Sequence, residues 1–370
     1  MHHTMKTRII KEKIKTITDP RRQYGYLRHN LEAVLGIAFC AILSGVEDYT
    51  GMELFGNKRL KWFSKHFNLP HGIPNEQTFE RLFARLDPAQ IAQCLRSLSE
   101  NPGCEGKIVN VDGKTIRGAA GAGQNAPHVV SAWVGEDHMA LGEVVTDEKS
   151  NEITAIPQLL DLVDVRDATV TIDAEGCQKK IAAKIVEKGA GYCLALKQNH
   201  PGLHDDVRFY FENDPAARFF RKRAQKDHGR VEERFYALET DIGWLAQKDE
   251  WAGLAAIGAA RSRVWEKGET RETTRYYLTT LTDAGEFAKA VRAHWSIENQ
   301  LHWRLDVTFG EDASKVRKGN APLVWNAIRK AALTLLKQAD LGKNMSVKHK
   351  MFMAAMDENT LELILFGKSK

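Results

Sequence analysis

Ala168-Thr-Val-Thr-Ile-Asp173 is followed by a helical pattern over residues 178–188 and then by Tyr192-Cys-Leu-Ala-Leu-Lys197. The first and last pieces are short β-rich runs, while Ile181, Ala182 and Ile185 recur at helical spacing between them. Upstream, residues 107–111 form a β-rich run ending at Asp112-Gly113. Residues 128–134 and 141–146 read as two more strands with turn residues between them. Residues 153–163 read as a helix with Pro157 in its first turn. Three early strands, then strand–helix alternation, predict an α/β core: a mixed sheet covered by helices.

The rest of the chain arranges itself around that core. Residues 1–19 are a basic arm. Residues 20–102 read as an N-terminal helical domain of the kind that binds DNA or scaffolds it. Within it 31–43 is a buried helix, 52–67 is amphipathic, 75–86 opens on an Asn cap, and Asp87-Pro88 starts another helix. Residues 103–199 carry the first part of the core. Residues 200–282 are a β-rich insertion whose runs at 231–240, 253–264 and 272–281 read as an excursion rather than as the sheet continuing. Residues 283–340 return to helices, opened by Asp283 as a cap, and 341–370 read as a C-terminal tail.

At 370 residues and 43% apolar composition the chain can build a sizeable core, so bulk disorder is excluded. Its net charge of +5 is unevenly spread. Basic tracts lie in residues 1–30, 218–230 and 313–350, a distribution suited to a polyanion such as nucleic acid. The five cysteines are scattered, odd in number and without a Cys-x-x-Cys pair, which predicts buried, reduced thiols and a cytoplasmic setting. The apolar run 33–43 is too short to span a bilayer, so no membrane partner is expected.

The segment Arg292-Ala-His-Trp-Ser-Ile-Glu-Asn-Gln-Leu-His-Trp-Arg-Leu-Asp306 reads as a helix with three faces. Ile297, Leu301 and Leu305 form an apolar stripe; Trp295, Asn299 and Trp303 share a second face; His294, Glu298, His302 and Asp306 share an ionisable third. The His294–Glu298–His302 ladder has a spacing compatible with zinc. A better account joins Glu298 to Asp112 and Asp173, which both stand just past strand ends, where the functional crevice of an open α/β sheet lies. Three carboxylates suit hard cations such as Mg²⁺. A pair of such ions about 3.5–4 Å apart can clamp the attacking and leaving oxygens of a phosphodiester.

An ordered set of blocks resembles one family. The set includes Val111-Asp-Gly-Lys-Thr-Ile-Arg117, Asp147-Glu-Lys-Ser-Asn-Glu-Ile-Thr-Ala-Ile-Pro157, Thr171-Ile-Asp-Ala-Glu-Gly-Cys-Gln178, Ala195-Leu-Lys-Gln-Asn199, His228-Gly-Arg230 and the stretch from Arg292 to Asp312. Over roughly residues 19–340 the chain resembles the insertion-sequence DDE transposases of the RNase H-like superfamily, of the H-repeat-associated type. The resemblance implies Asp112, Asp173 and Glu298 as catalytic and metal-binding residues, with two Mg²⁺ or Mn²⁺ ions. It also implies double-stranded DNA (transposon ends and target) as partner, and a homodimer on that DNA. Val291, His294 and Leu305 stand where longer relatives of the motif carry Tyr, Arg and Lys around the glutamate. Lys149, Asn151 and Glu152 belong to the resemblance, yet nothing in the residues assigns them a role.

Lys114, Arg117, Lys197, Asn199, His228, Arg230, Lys315 and Arg317 are candidate DNA contacts, as are His294, Trp295, Asn299, His302 and Trp303. For the two tryptophans, packing is the first reading and base stacking the second. Two other functions share these residues: an RNase H-like nuclease that cuts without joining, and a non-catalytic DNA-binding protein derived from a transposase.

Overall fold

Residues 31–43 are apolar on nearly every face, and such a helix has no side to offer water. In the computed structural model it is helix α1 (Leu31–Leu43), capped by the Asn30 side chain, which accepts from the Ala33 N–H at 2.7 Å. The structure describes residues 12–21, 27–96, 103–121, 125–146, 152–214, 217–227, 230–342 and 344–367, with the side chains of 221–227 and 230 outside the description.

Around α1 pack α2 (Tyr49–Lys58), α3 (Leu60–His66), α4 (Glu76–Phe83) and α5 (Pro88–Arg96). The amphipathic run expected to be one helix is broken at Arg59, whose backbone leaves the helical region. Asn75 caps α4 as its sequence predicts, accepting from Thr78 N–H.

The core sheet contains β1 (Ile108–Thr115), β2 (His128–Val134), β3 (Met139–Thr146), β4 (Thr169–Ile172) and β5 (Gly191–Leu196). Its order is β3-β2-β1-β4-β5; β2 is antiparallel to β1 and β3, while β1, β4 and β5 run parallel. This is the mixed sheet expected above. Helices α6 (Glu152–Leu162) and α7 (Lys179–Glu187) cover one face. Helix α6 begins at Glu152, so Pro157 falls in its second turn rather than its first.

The insertion supplies α8 (Pro201–Asn213), β6 (Phe220–Asp227), β7 (Arg230–Glu239), β8 (Ala256–Glu266) and β9 (Glu269–Thr279). It is β-rich as expected, but it is no excursion from the sheet. Strand β9 pairs antiparallel with β5, Cys193 opposite Thr279, so core and insertion form one nine-stranded sheet ending β5-β9-β8-β7-β6. An unpaired β5 edge would leave a row of backbone donors and acceptors open, and the insertion closes it.

Helix α9 (Ala284–Ser296) runs across the other face of this sheet, touching β1, β4, β5, β7 and β8. Gly258 on β8 lets it dock, since a Cβ there would fall within the Phe287 ring. Past Ser296 the helix widens into a π turn, Ile297–His302, and then resumes as α10 (Trp303–Val307). Ile297, Leu301 and Leu305 are fully buried in the core of α1–α5, each contributing about 1.5–3 kcal/mol by area.

Helix α11 (Ala321–Gln338) joins the same core. The expected tail instead holds α12 (Val347–Met356) and α13 (Glu358–Phe366). Lys350 donates to the Leu336 and Ala339 carbonyls that close α11, and Trp62 Nε1 donates to Glu362 at 2.8 Å. Helix α1 and the C-terminal helix α13 therefore share one hydrophobic interior. All five cysteines are buried and free, and among the described residues no helix is long and apolar enough to cross a membrane.

Candidate active site

Strands β1 and β4 pair in parallel as far as Val111 opposite Ile172. The next residues are Asp112 and Asp173, on neighbouring strands about 4.8 Å apart. Asp173 stands just past the end of β4 as expected, whereas β1 continues to Thr115, so Asp112 lies within its strand rather than past its end. Asp173 Oδ1 accepts from the N–H groups of Glu175 (3.0 Å) and Gly176 (3.3 Å), which turns the chain toward α7. That turn is braced from β5: Asn199 donates to the Ala174 carbonyl at 2.8 Å, and His200 Nε2 bonds the Cys177 carbonyl at 2.7 Å. Asn199, expected on the DNA path, thus holds the loop that carries Asp173.

Burial is the largest influence on Asp112, followed by the charges of Glu152 and Asp173 and, more weakly, Glu298. Only a hydrogen bond from the Gly113 backbone opposes them, and the carboxyl is pushed up to about 7. Glu298 opens the π turn and is solvent-exposed.

The ladder read from the helix does not converge on an ion. His294 Nδ1 meets the Thr171 hydroxyl at 3.0 Å. That hydroxyl donates to Asn110 at 2.8 Å, and the Asn110 amide donates to Ser296 at 3.0 Å. This buried relay fastens the end of α9 to β1 and β4, so His294 faces the sheet rather than DNA. His302 is also buried, with Nδ1 3.5 Å from Asp112 Oδ2. Burial, then Lys330 and Lys114, push it down to about 3, so the ring is neutral.

Lys114 has a different task from the expected phosphate contact. Its ammonium lies 2.7 Å from Asp306, 3.1 Å from Glu311 and 3.6 Å from Asp312. Burial works against its charge, yet Glu311 and Asp306 hold its pKa above the usual lysine value. Glu311, fully buried, also accepts from Asn326 at 2.9 Å and stands 3.6 Å from Arg329. This charged knot ties β1 to the segment after α10.

Arg117, Lys197 and Lys315 are exposed, and Arg317, also exposed, donates to the Gly118 carbonyl at 3.2 Å. Trp303 is 46% exposed, which departs from the packing reading, and Arg304 lies over its ring. Asn299 is exposed, donating to the Trp295 carbonyl, and Arg275 sits 4.7 Å from the Trp295 ring. That pair lines a cleft of about 530 Å³ between the insertion strands and α9, with Arg234, Arg261, Arg271 and Arg292 on its walls and Glu232 and Glu266 among them. His228 lies outside the described residues, as do Lys149, Asn151 and the Arg230 side chain.

Sequence reasoning left Glu152 without a role. It stands at the start of α6 and bonds His128 Nε2 at 2.8 Å, while His128 Nδ1 meets the Thr115 hydroxyl at 2.9 Å. Glu152 has no sequence signal of its own, because its partner His128 lies 24 residues earlier, on the strand paired with β1.

The side chains of Asp112, Asp173 and Glu298 offer only oxygen, and burial, followed by the charges of Glu152 and Asp173, raises Asp112. Both features fit a hard divalent cation. Among the described residues no three His, Cys, Asp or Glu side chains are gathered closely enough to hold a metal ion as they stand.

Comparison with known proteins places these features. The transposase DDE domain model matches residues 103–335, and a second model, described as DDE_Tnp_1-associated, matches 11–98. YncI of Escherichia coli O157:H7 is 37% identical over 373 residues, covering 96% of this chain and 94% of its own. The H repeat-associated YhhI of Escherichia coli K12 is 34% identical, covering 98% and 99%. A solved piggyBac transposase synaptic complex with hairpin DNA is similar at a TM-score of 0.48 and 10% identity over 99% of this chain and 81% of that one, too slight a likeness to bear on the site. With the domain model covering the whole sheet and full-length relatives on either side of 35% identity, the chain belongs to the transposase DDE domain family.

Proposed function

We propose that this chain cuts DNA at the ends of an insertion sequence and joins the freed ends to target DNA, using Asp112, Asp173 and Glu298 to hold two Mg²⁺ or Mn²⁺ ions. The observation that supports this reading is the parallel β1–β4 register, in which Asp112 and Asp173 directly follow the paired residues Val111 and Ile172. In the first step a water oxygen bonds to the end phosphorus, the bond to the 3′ oxygen breaks, and a 3′-hydroxyl is released. In the second that hydroxyl attacks a target phosphorus and displaces the target's own 3′ oxygen. Bound divalent ions supply activation of the attacking oxygen and charge neutralisation at the leaving one.

The chain's other residues serve this chemistry from outside. His302, neutral beside Asp112, adds no positive charge there. The Thr171–Asn110 relay fixes the helix that carries Glu298. Arg117, Lys197, Lys315 and Arg317 on the surface, and the arginine-walled cleft beside α9, offer phosphate contacts to the two ends and the target. A dimer on DNA brings two ends together, and the work takes place at the nucleoid in the cytoplasm.

The test of joining uses a pre-cleaved duplex bearing the inverted repeat that flanks the coding region, with a supercoiled plasmid as target. Covalent joining in Mg²⁺ supports the reading. Cutting of the intact end without any joining would instead mark a nuclease, and binding with neither would mark a non-catalytic DNA-binding protein.

A further inference from the structure

We propose that Glu152 is a fourth carboxylate of the acidic site, a positioning residue that His128 clamps beside Asp112 so that its charge tightens the grip of Asp112 and Asp173 on a divalent cation. The inference rests on the metal-dependent reading above.

Two observations carry it. The clamp is complete: Thr115 on β1 bonds His128 on β2, and His128 bonds Glu152, leaving the carboxylate mostly buried at 15% side-chain exposure. The room for it is made by Gly113, the residue after Asp112. A Cβ at that position would fall within both the Glu152 carboxylate and the His128 ring. The glycine of the Asp112-Gly113 pair is therefore demanded by this contact, since it lies in a strand and not at a positive φ.

A His–Glu pair serving only the fold gains nothing from that location. Its anion is packed against Gly113, the residue next to Asp112, where like charges repel, and any position farther away would avoid the penalty. The sign reverses when a cation is present, because every added negative charge then favours its retention. Outer residues that orient and charge a metal site commonly change affinity by about 10–100-fold.

The experiment titrates Mn²⁺ into the full-length protein without DNA and follows free Mn²⁺ by electron paramagnetic resonance. It compares wild type, Asp112→Asn and Glu152→Gln, with thermal unfolding recorded for each. Glutamine keeps a hydrogen bond to His128 and loses the charge. The expected result is Mn²⁺ affinity about 10-fold weaker in Glu152→Gln with its melting point close to wild type. If Asp112→Asn weakens binding and Glu152→Gln does not, the role of Glu152 is overturned while the metal site stands. If wild type binds no better than Asp112→Asn, the metal reading fails and takes this inference with it. Should Glu152→Gln not fold, Glu152→Asp, which shortens the reach past Gly113, decides: weaker Mn²⁺ binding supports the proposal and unchanged binding overturns it.

Discussion

His302 Nδ1 stands 3.5 Å from Asp112 Oδ2 within the protein interior, and the two groups are displaced in opposite directions. The carboxyl is raised toward 7 and the imidazole lowered toward 3, so near neutrality a partly protonated acid faces an uncharged ring. An imidazolium would have neutralised Asp112 and competed with a metal ion. A neutral ring leaves the carboxyl's charge available to a cation.

Metal binding follows from that arrangement. Because burial, and then Glu152 and Asp173, hold Asp112 protonated below about 7, a cation must displace that proton. Mn²⁺ affinity should weaken as pH falls through 7, by up to about 10-fold per unit, and level off above it. Calorimetric titration between pH 5.5 and 8.5 checks this. A pH-independent affinity would mean Asp112 is not a ligand.

Stability without metal should move the other way. The folded pKa of Asp112 lies above its unfolded value, so the folded state binds the extra proton between about 4 and 7. Its contribution is lost as pH rises through that window. Asp112→Asn should therefore melt several degrees above wild type at pH 8, with the difference closing near pH 4. Equal melting points at pH 8 would contradict the crowding of carboxylates at this edge.

Lys114→Ala should damage the fold before it damages DNA binding. The substitution leaves Glu311 buried with only Arg329 and Asn326, and breaking a buried pair costs about 3–5 kcal/mol. Urea unfolding measures the loss. A fully stable variant with weakened DNA binding would return Lys114 to the phosphate-contacting role its sequence position suggests.

Arg275→Ala should weaken duplex binding and reduce the salt slope by about one, because one phosphate contact and its released counterion are lost. The side chain is exposed at the cleft and lies over Trp295, one turn before Glu298. Fluorescence anisotropy over a salt series reads both effects. An unchanged slope would place the DNA elsewhere.

The acid pair was legible because each aspartate follows a short β-rich run, although only β4 stops at its acid while β1 continues through Asp112 to Thr115. The π turn was not legible: Ile297, Leu301 and Leu305 recur every four residues, a spacing that an ordinary helix buries equally well. Nor was the continuity of the sheet, because nothing near Cys193 announces Thr279 as its partner. Lys114 follows Asp112 closely enough to read as a phosphate contact, but its three carboxylates arrive from Asp306, Glu311 and Asp312, far along the chain. The last two helices did leave a trace in Ser346 and Asp357, which cap α12 and α13, and that trace went unread among basic and polar neighbours.

The central claim is that Asp112, Asp173 and Glu298 act together through divalent ions on a phosphodiester. A linear duplex carrying one element end, labelled at the 5′ terminus, tests it when incubated with the full-length chain in Mg²⁺ or in chelator. Wild type should nick it only with Mg²⁺, leaving a 3′-hydroxyl at the end of the element. Asp173→Asn should bind the same duplex with similar affinity and leave it intact. Nicking by Asp173→Asn at the wild-type rate, or cutting by wild type in chelator, would contradict the account.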